Sequence, residues 1–206
     1  MKIIFATHNI GKIKEMRALL CDLDIDVLSA DEAGVTEDVV EDKETFEGNA
    51  LKKARFVSEK LGEWAVADDS GICIKELGCR PGVYSARWAG EGAGDEKIIS
   101  HTLEQMKDVA QGRRGAYFES AAALVAPDGR HWIFRGRVDG RVACEPTGTP
   151  RPKLPYDMLF IPRGHEKTFA QMSDQEKNAL SHRGLAFQKL KKFLKNEICI
   201  KNENKR

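Results

Sequence analysis

The sequence predicts an α/β protein built on a mixed β-sheet, and three observations carry that reading. The chain opens with a short apolar run, "KIIFAT", then the loop "HNIGK", then apolar residues at helical spacing. Helix-like and strand-like stretches keep alternating through the first half. From Ala116 to Ala143 the pattern turns to successive strands separated by turn residues. Strand–helix alternation implies parallel pairing and tandem strands imply antiparallel pairing, so one sheet holding both is expected, flanked by helices.

In the first helix Ile13, Met16, Leu19, Leu20 and Leu23 form one stripe with Lys and Glu outside it. A second helix is expected from about Thr45 to Leu61, with Phe46, Ala50, Ala54, Val57 and Leu61 on one face. Gly62 is its expected C-terminal stop. The stretch "EWAVADDSGICI", Glu63 to Ile74, is strand material interrupted by Asp68, Asp69, Ser70 and Gly71. "GDEKIISHTLEQMKDV" reads as a third helix through Ile99, Leu103 and Met106. Then come "AYFESAAALVA", a "PDG" turn, "HWIFRGRV", a second "DG" turn and "RVA". Ser173 and Glu176 have capping-box spacing ahead of "KNALSHRG", and a last amphipathic helix carries Leu185, Leu190, Phe193 and Leu194.

The 206 residues contain no repeat and no linker. They fit one domain of one or two lobes over residues 1–196, with a polar tail at 197–206. Lys+Arg 33 against Asp+Glu 32 leaves a net charge of +1, which favours neither nucleic acid nor an acidic partner. Basic clusters are local: "QGRRG" at 111–115, "RPK" at 151–153 and "KLKKFLK" at 189–195. The five cysteines (Cys21, Cys73, Cys79, Cys144, Cys199) are scattered and lack a CxxC pair. That suits reduced thiols and a cytoplasmic setting. "KIIFA" is too short for a signal-peptide core, and no apolar run approaches membrane-spanning length, so no membrane partner is expected.

Four places carry polar residues that a plain scaffold would not need. In Thr7 to Lys12, "THNIGK", hydroxyl, amide and ammonium groups beside a helix start can bind phosphate. Taken alone, the stretch reads more economically as a helix cap with a surface lysine, and no GxxxxGK[ST] loop occurs anywhere in the chain. In "EDKETFEGNALKKA", Asn49 and Lys53 are four apart and share a helical face. The acids before that helix can ligate a metal, or simply suit the helix dipole.

In "ADDSG", neighbouring strand residues point to opposite faces. Either one Asp faces a site, or Ser70-Gly71 bends the chain so that both do. Carboxylates beside a core strand need compensation, and Mg²⁺ takes one or two carboxylates plus substrate phosphates. An Asx turn between two strands is the competing account. In "EKNALSHRG", Lys177, His182 and Arg183 can reach phosphate or a purine edge, or form a solvated basic patch. Together the four places lean toward a Mg²⁺-assisted enzyme acting on a small phosphorylated substrate.

The stretches "FATHNIGKIKEM", "TFEGNALKKA", "VADDSGICIKELGCRPGVYSARWAG", "EPTGT", "KTFAQM" and "EKNALSHRG" occur in the order seen in the inosine triphosphate pyrophosphatase family, which the chain resembles from about residue 2 to residue 194. The resemblance implies an elongated two-lobed α/β fold with an active-site cleft between the lobes, and a homodimer. It also implies Mg²⁺-dependent hydrolysis of dITP, ITP or XTP to the monophosphate and pyrophosphate. The family's phosphate-binding residues fall on Thr7, His8, Asn9, Ile10, Gly11 and Lys12. Its metal-binding acid falls on Glu41, with Glu44 near enough to keep in view. Its general base falls on Asp69, which with Asp68 beside it joins Glu41 in the expected metal site, and Ser70 touches substrate. Its late substrate-binding residues fall on Lys177, His182 and Arg183.

One segment departs from the family pattern. Where members carry "GFGYDP", this chain reads "RPKLPYDMLF": Tyr156 and Asp157 remain, Leu154 takes the aromatic position, Pro155 replaces Gly and Met158 replaces Pro. In the family that Phe packs on the purine. Leu offers apolar contact but no stacking face, and Pro155 fixes φ and removes an N–H. Weaker or altered base selection with preserved chemistry is the expectation. A Maf-like pyrophosphatase acting on other nucleotides is the alternative enzyme. A nucleic-acid-binding module is disfavoured, because only 7% of residues are aromatic and the net charge is near zero.

Overall fold

The computed structural model describes the backbone of residues 1–203 and the side chains of residues 1–197. Seven strands form one sheet in the order β2-β1-β3-β5-β6-β7, with β4 paired to β3. They are β1 (Lys2–Phe5), β2 (Asp26–Ser29), β3 (Trp64–Ile74), β4 (Arg80–Pro81), β5 (Gly115–Val125), β6 (His131–Val142) and β7 (Phe160–Pro162). β1 runs parallel to β2 and β3, whereas β3–β4 and β6–β7 are antiparallel, so the sheet is mixed as expected. The helices are α1 (Ile10–Leu20), α2 (Phe46–Leu61), α3 (Asp95–Gln105), α4 (Asp174–Leu180) and α5 (His182–Glu203).

Contacts divide the chain into two compact units: residues 1–69, 121–135 and 185–206, and residues 70–120 and 136–184. In the first unit the sheet is covered on both faces. Ile3, Phe5, Val66, Ala122 and Leu124 pack with Ile13, Met16, Phe187 and Leu190 of α1 and α5. Ala67, Ala123 and Val125 pack with Ala50 and Ala54 of α2 on the other face. Trp64 and Trp132 stack at the margin of the first cluster, rings 5.8 Å apart and 13° from parallel. The second unit has its own core, in which Ile72, Ile74, Phe118, Phe160 and Phe169 pack with Ile98 and Met106.

Helix boundaries follow local chemistry. Thr45 caps α2 by accepting from Gly48 N–H, and Gly62 ends it in the left-handed conformation at φ 65°. Ser173 and Glu176 form the expected capping box on α4. α3 stops at Gln105, with Met106 as C-cap, four residues short of the helical reading.

Two strand readings are corrected. β3 is one uninterrupted strand of 11 residues, so "DDSG" neither breaks nor bends out of it. "DG" at 139–140 is no turn: β6 runs straight through it, and Gly140 pairs with Pro162. A Cβ on Gly140 would lie 2.2 Å from the Ile161 carbonyl oxygen, so this glycine serves close strand approach. β2, β4 and β7 carry no separate signal, being four residues or fewer. α5 continues to Glu203, into the stretch set aside as a tail, whose residues 204–206 lie outside the described residues. The cluster "QGRRG" is only partly a surface feature, because Arg114 is buried and donates to four backbone carbonyls, at Met106, Val109, Val142 and Ala143. Among the described residues no helix is long and apolar enough to cross a membrane.

Candidate active site

Because β3 is regular, Asp68 and Asp69 leave it on opposite faces. Both are buried, 2% and 7% exposed. Asp68 follows Val66 to the face covered by α1, where Lys12 Nζ donates to Asp68 Oδ1 at 2.9 Å. Asp69 follows Ala67 to the face covered by α2, where Asn49 Nδ2 donates to Asp69 Oδ2 at 2.9 Å. Lys53, one helical turn beyond Asn49, pairs with Glu41 and donates to the Asp68 carbonyl oxygen at 2.8 Å. One strand thus hands two carboxylates to two helices, and each helix returns a cation or an amide.

The charges interact across this group. Burial pushes the Asp69 carboxyl up to about 6, and the negative charge of Glu41 adds to that rise. Lys53, the Asn49 amide and Lys12 oppose it. Burial alone would lower Lys53, but Glu41, Asp68 and Asp69 outweigh it and hold the ammonium above its ordinary range. Glu41 and Asp69 are an oxygen donor pair of the hard type that suits Mg²⁺. Among the described residues no group of three His, Cys, Asp or Glu side chains could hold a metal by itself. Asp68 is engaged by Lys12, and Glu44 is exposed.

The loop before α1 divides its work. Asn9 is the N-cap, its side chain accepting from Gly11 N–H at 2.9 Å and Lys12 N–H at 3.3 Å. Thr7 Oγ1 accepts from Asn9 N–H at 3.2 Å, and His8 Nδ1 lies 2.7 Å from Asp31 Oδ1. Ile10 is exposed. The capping account therefore holds for Asn9, while Lys12 reaches a buried carboxylate and is no mere surface charge.

In the second unit Arg183 Nη2 donates to Ser70 Oγ at 3.3 Å, at the start of that unit's part of β3. The His182 ring stacks on Phe118, centroids 4.4 Å apart and 6° from parallel. Gly184 makes this placement possible: a Cβ there would lie 1.9 Å from the Asn178 carbonyl oxygen, so only glycine lets the first turn of α5 meet α4. Lys177 Nζ donates to Asp157 Oδ2 at 2.6 Å, both side chains being buried. Leu154 caps the 3-10 turn Pro155–Met158, in which Pro155, Tyr156 and Asp157 are buried. The Tyr156 hydroxyl donates to the Ser85 carbonyl at 2.9 Å. Lys177, His182 and Arg183 are thus buried, partnered groups rather than a solvated patch.

Residues 3–193 match the model of the Ham1 family. The chain belongs to the Ham1 family. A protein from Streptomyces avermitilis named dITP/XTP pyrophosphatase is 43% identical over 191 residues, covering 92% of this chain and 94% of its own. A Bacillus subtilis protein of the same name is 42% identical, covering 93% and 96%. Among solved structures, a HAM1 protein from Coxiella burnetii superposes with a TM-score of 0.88 at 37% identity, covering 95% of this chain and 99% of that one. The Staphylococcus aureus Ham1 protein gives 0.85 at 34% identity, covering 96% and 100%. The family resemblance and the mixed α/β fold read from the sequence are both borne out.

Within this Ham1 chain, the site reading missed three residues in different ways. Asn49 and Lys53 were visible as a shared helical face, but nothing in the sequence showed which carboxylates they would meet. Phe118 carried no signal: an aromatic in an apolar strand reads as core until His182 is seen on its ring.

Proposed function

We propose that this protein is a nucleoside-triphosphate pyrophosphatase acting on non-canonical purine nucleotides, dITP, ITP or XTP, which it hydrolyses to the monophosphate and pyrophosphate with Mg²⁺. The observation that carries the reading is the Lys12–Asp68, Asn49–Asp69 and Lys53–Glu41 set of pairs on one strand and its two helices. A scaffold has no need to bury two adjacent carboxylates, whereas phosphoryl transfer needs a base, cations and an acceptor for hard metal ions.

When bound, Mg²⁺ supplies charge neutralisation on the triphosphate oxygens, and Glu41 and Asp69 are the residues that would hold it. In the metal-free chain burial raises the Asp69 carboxyl to about 6, and Asp69 is the residue assigned to take a proton from the attacking water. The hydroxide equivalent adds to the α-phosphorus, the bond from that phosphorus to the bridging oxygen breaks, and pyrophosphate leaves. The Lys12 ammonium offsets charge on the departing group. Asn49 orients the Asp69 carboxylate, and Lys53 balances Glu41. The family resemblance assigns Lys177, His182 and Arg183 to substrate binding. A homodimer, which rests on the family resemblance, and a cytoplasmic setting, which rests on the scattered cysteines, belong to the same reading.

One observation favours a variant of it. Leu154 stands where the family stacks an aromatic side chain, and Pro155 beside it is buried. Base preference is therefore expected to be relaxed or altered, in the extreme toward a Maf-like substrate range. Pyrophosphate release from ITP, XTP, dITP, ATP, GTP and UTP, with and without Mg²⁺, separates these readings. Preference for XTP, ITP and dITP, whose bases carry no exocyclic amino group, supports the first, preference for UTP or GTP the second, and no release from any refutes both. Asp69→Asn is expected to lower turnover at least about 100-fold, in keeping with lost general-base catalysis, while KM stays within a few-fold.

A further inference from the structure

The basic stretch "RPK" at 151–153 has no part in the function just described, yet its first residue turns inward. Arg151 Nη1 donates to the Phe169 carbonyl at 2.7 Å and to Asp157 Oδ2 at 3.4 Å. Its Nη2 donates to the Met172 carbonyl at 2.6 Å, and its Nε to Asp174 Oδ1 at 3.2 Å. One guanidinium therefore joins the 3-10 turn holding Asp157, the 3-10 turn Phe169–Gln171 with its C-cap, and the start of α4.

The shared atom is Asp157 Oδ2, which also accepts from Lys177 Nζ at 2.6 Å. The Lys177 and Asp157 side chains are only 5% and 4% exposed. Asp174 is 82% exposed and its charge is screened by solvent, so within the protein one carboxylate faces two cations. A lone buried Lys–Asp pair directs its attraction at itself, and separating it is costly. Here Arg151 takes part of the acceptor capacity of Asp157, and the two carbonyl bonds fix where its planar fork stands. With Asp174 counted the cluster is neutral, but Asp174 lies at the exposed rim beside Arg151, so the Lys177 ammonium keeps attraction for a further oxygen.

We propose that Arg151 is a positioning residue that holds Asp157 in place and keeps Lys177 available to an oxygen of the nucleotide. The substrate class rests on the pyrophosphatase reading above. Arg151 acts through Asp157 and touches no substrate itself. The functional weight of "RPK" then lies in this replaced segment, where the chain departs from the family pattern.

The test compares the parent with Arg151→Met, Arg151→Lys and Asp174→Asn. KM and kcat are measured on dITP, and Kd for ITP by calorimetry with and without MgCl₂. Removing an interaction made equally in ground and transition states raises KM and leaves kcat alone, so Arg151→Met is expected to raise KM and Kd about tenfold with kcat within about threefold. Arg151→Lys, which keeps charge but not the fork, is expected to fall between that and the parent. Asp174→Asn is expected to stay within about twofold, an exposed pair contributing little.

A folded Arg151→Met with unchanged KM and Kd overturns the proposal, and so does a loss confined to kcat. Should Arg151→Met fail to fold, Arg151→Lys decides: a raised KM supports the proposal and an unchanged one overturns it. If the parent binds ITP but releases no pyrophosphate from any triphosphate, the activity reading fails and the Kd series still decides on Arg151. A parent that does not bind ITP at all overturns both.

Discussion

Asp69→Asn keeps the shape of the side chain and removes its charge, and in metal-free protein it is expected to change stability in a pH-dependent way. In the folded chain burial lifts the Asp69 carboxyl from 3.8 to about 6, against the opposing Lys53, Asn49 and Lys12. A folded-state value above the unfolded one means that the native state binds this proton more tightly. The resulting stability is complete below the unfolded value and is lost as pH rises through the folded one. The shift is about two units at roughly 1.4 kcal/mol each, so ionising Asp69 costs the fold on the order of 3 kcal/mol by neutral pH. Asparagine does not ionise and escapes that loss. Urea denaturation with chelator present, at about pH 4 and about pH 7.5, should give similar stabilities for parent and variant at the acid end. At the neutral end the variant should be more stable by roughly 3 kcal/mol, or about 6–12 °C in Tm for a chain of this size. A parent–variant difference that is the same at both pH values would refute the argument.

Three further outcomes follow from the same geometry. Lys53→Met removes a charge that holds the Asp69 carboxyl down, so the stability loss should extend to higher pH in the same denaturation series; an unmoved pH window would contradict the assignment. Gly184→Ala puts a Cβ 1.9 Å from the Asn178 carbonyl oxygen and should cost about 1–3 kcal/mol in a thermal melt, with KM raised because His182 and Arg183 move with the turn. Leu154→Phe restores a stacking face and should lower KM for dITP several-fold, within the roughly 1–3 kcal/mol that stacking contributes per base; an unchanged KM would count against stacking at this position.

Much of the fold was legible because it rests on local chemistry. The α2 stripe, the Thr45 and Gly62 caps and the Ser173–Glu176 box are all written within a few neighbouring residues. The short strands β2, β4 and β7 exist only through their partners, so nothing local marks them. Asp139-Gly140 shows the opposite failure. Its composition is that of a hairpin turn, but the constraint met by Gly140 is the Ile161 carbonyl, some twenty residues away. The site was half legible for a related reason. Strand periodicity required Asp68 and Asp69 to face opposite ways, and helix periodicity put Asn49 beside Lys53. Which carboxylate meets which cation depends on the stacking of α1 and α2 on the two faces of β3, a long-range fact. Arg151 looked like surface charge because its acceptors, two backbone carbonyls and the carboxylates of Asp157 and Asp174, lie on later segments that no local pattern ties to it.

The indole pair at the margin of the first unit also gives the molecule an optical label. Of the three tryptophans, Trp64 and Trp132 stack on each other in the first unit, while Trp88 lies edge-on to His101 in the second. Two near-parallel indoles at this separation couple their electronic transitions, so their near-ultraviolet dichroism reports the packing of the first unit. Trp88→Phe leaves that signal as the sole tryptophan contribution, and Trp132→Phe leaves two uncoupled indoles, one in each unit. Unfolding followed in the two variants can show whether the units melt together or in succession.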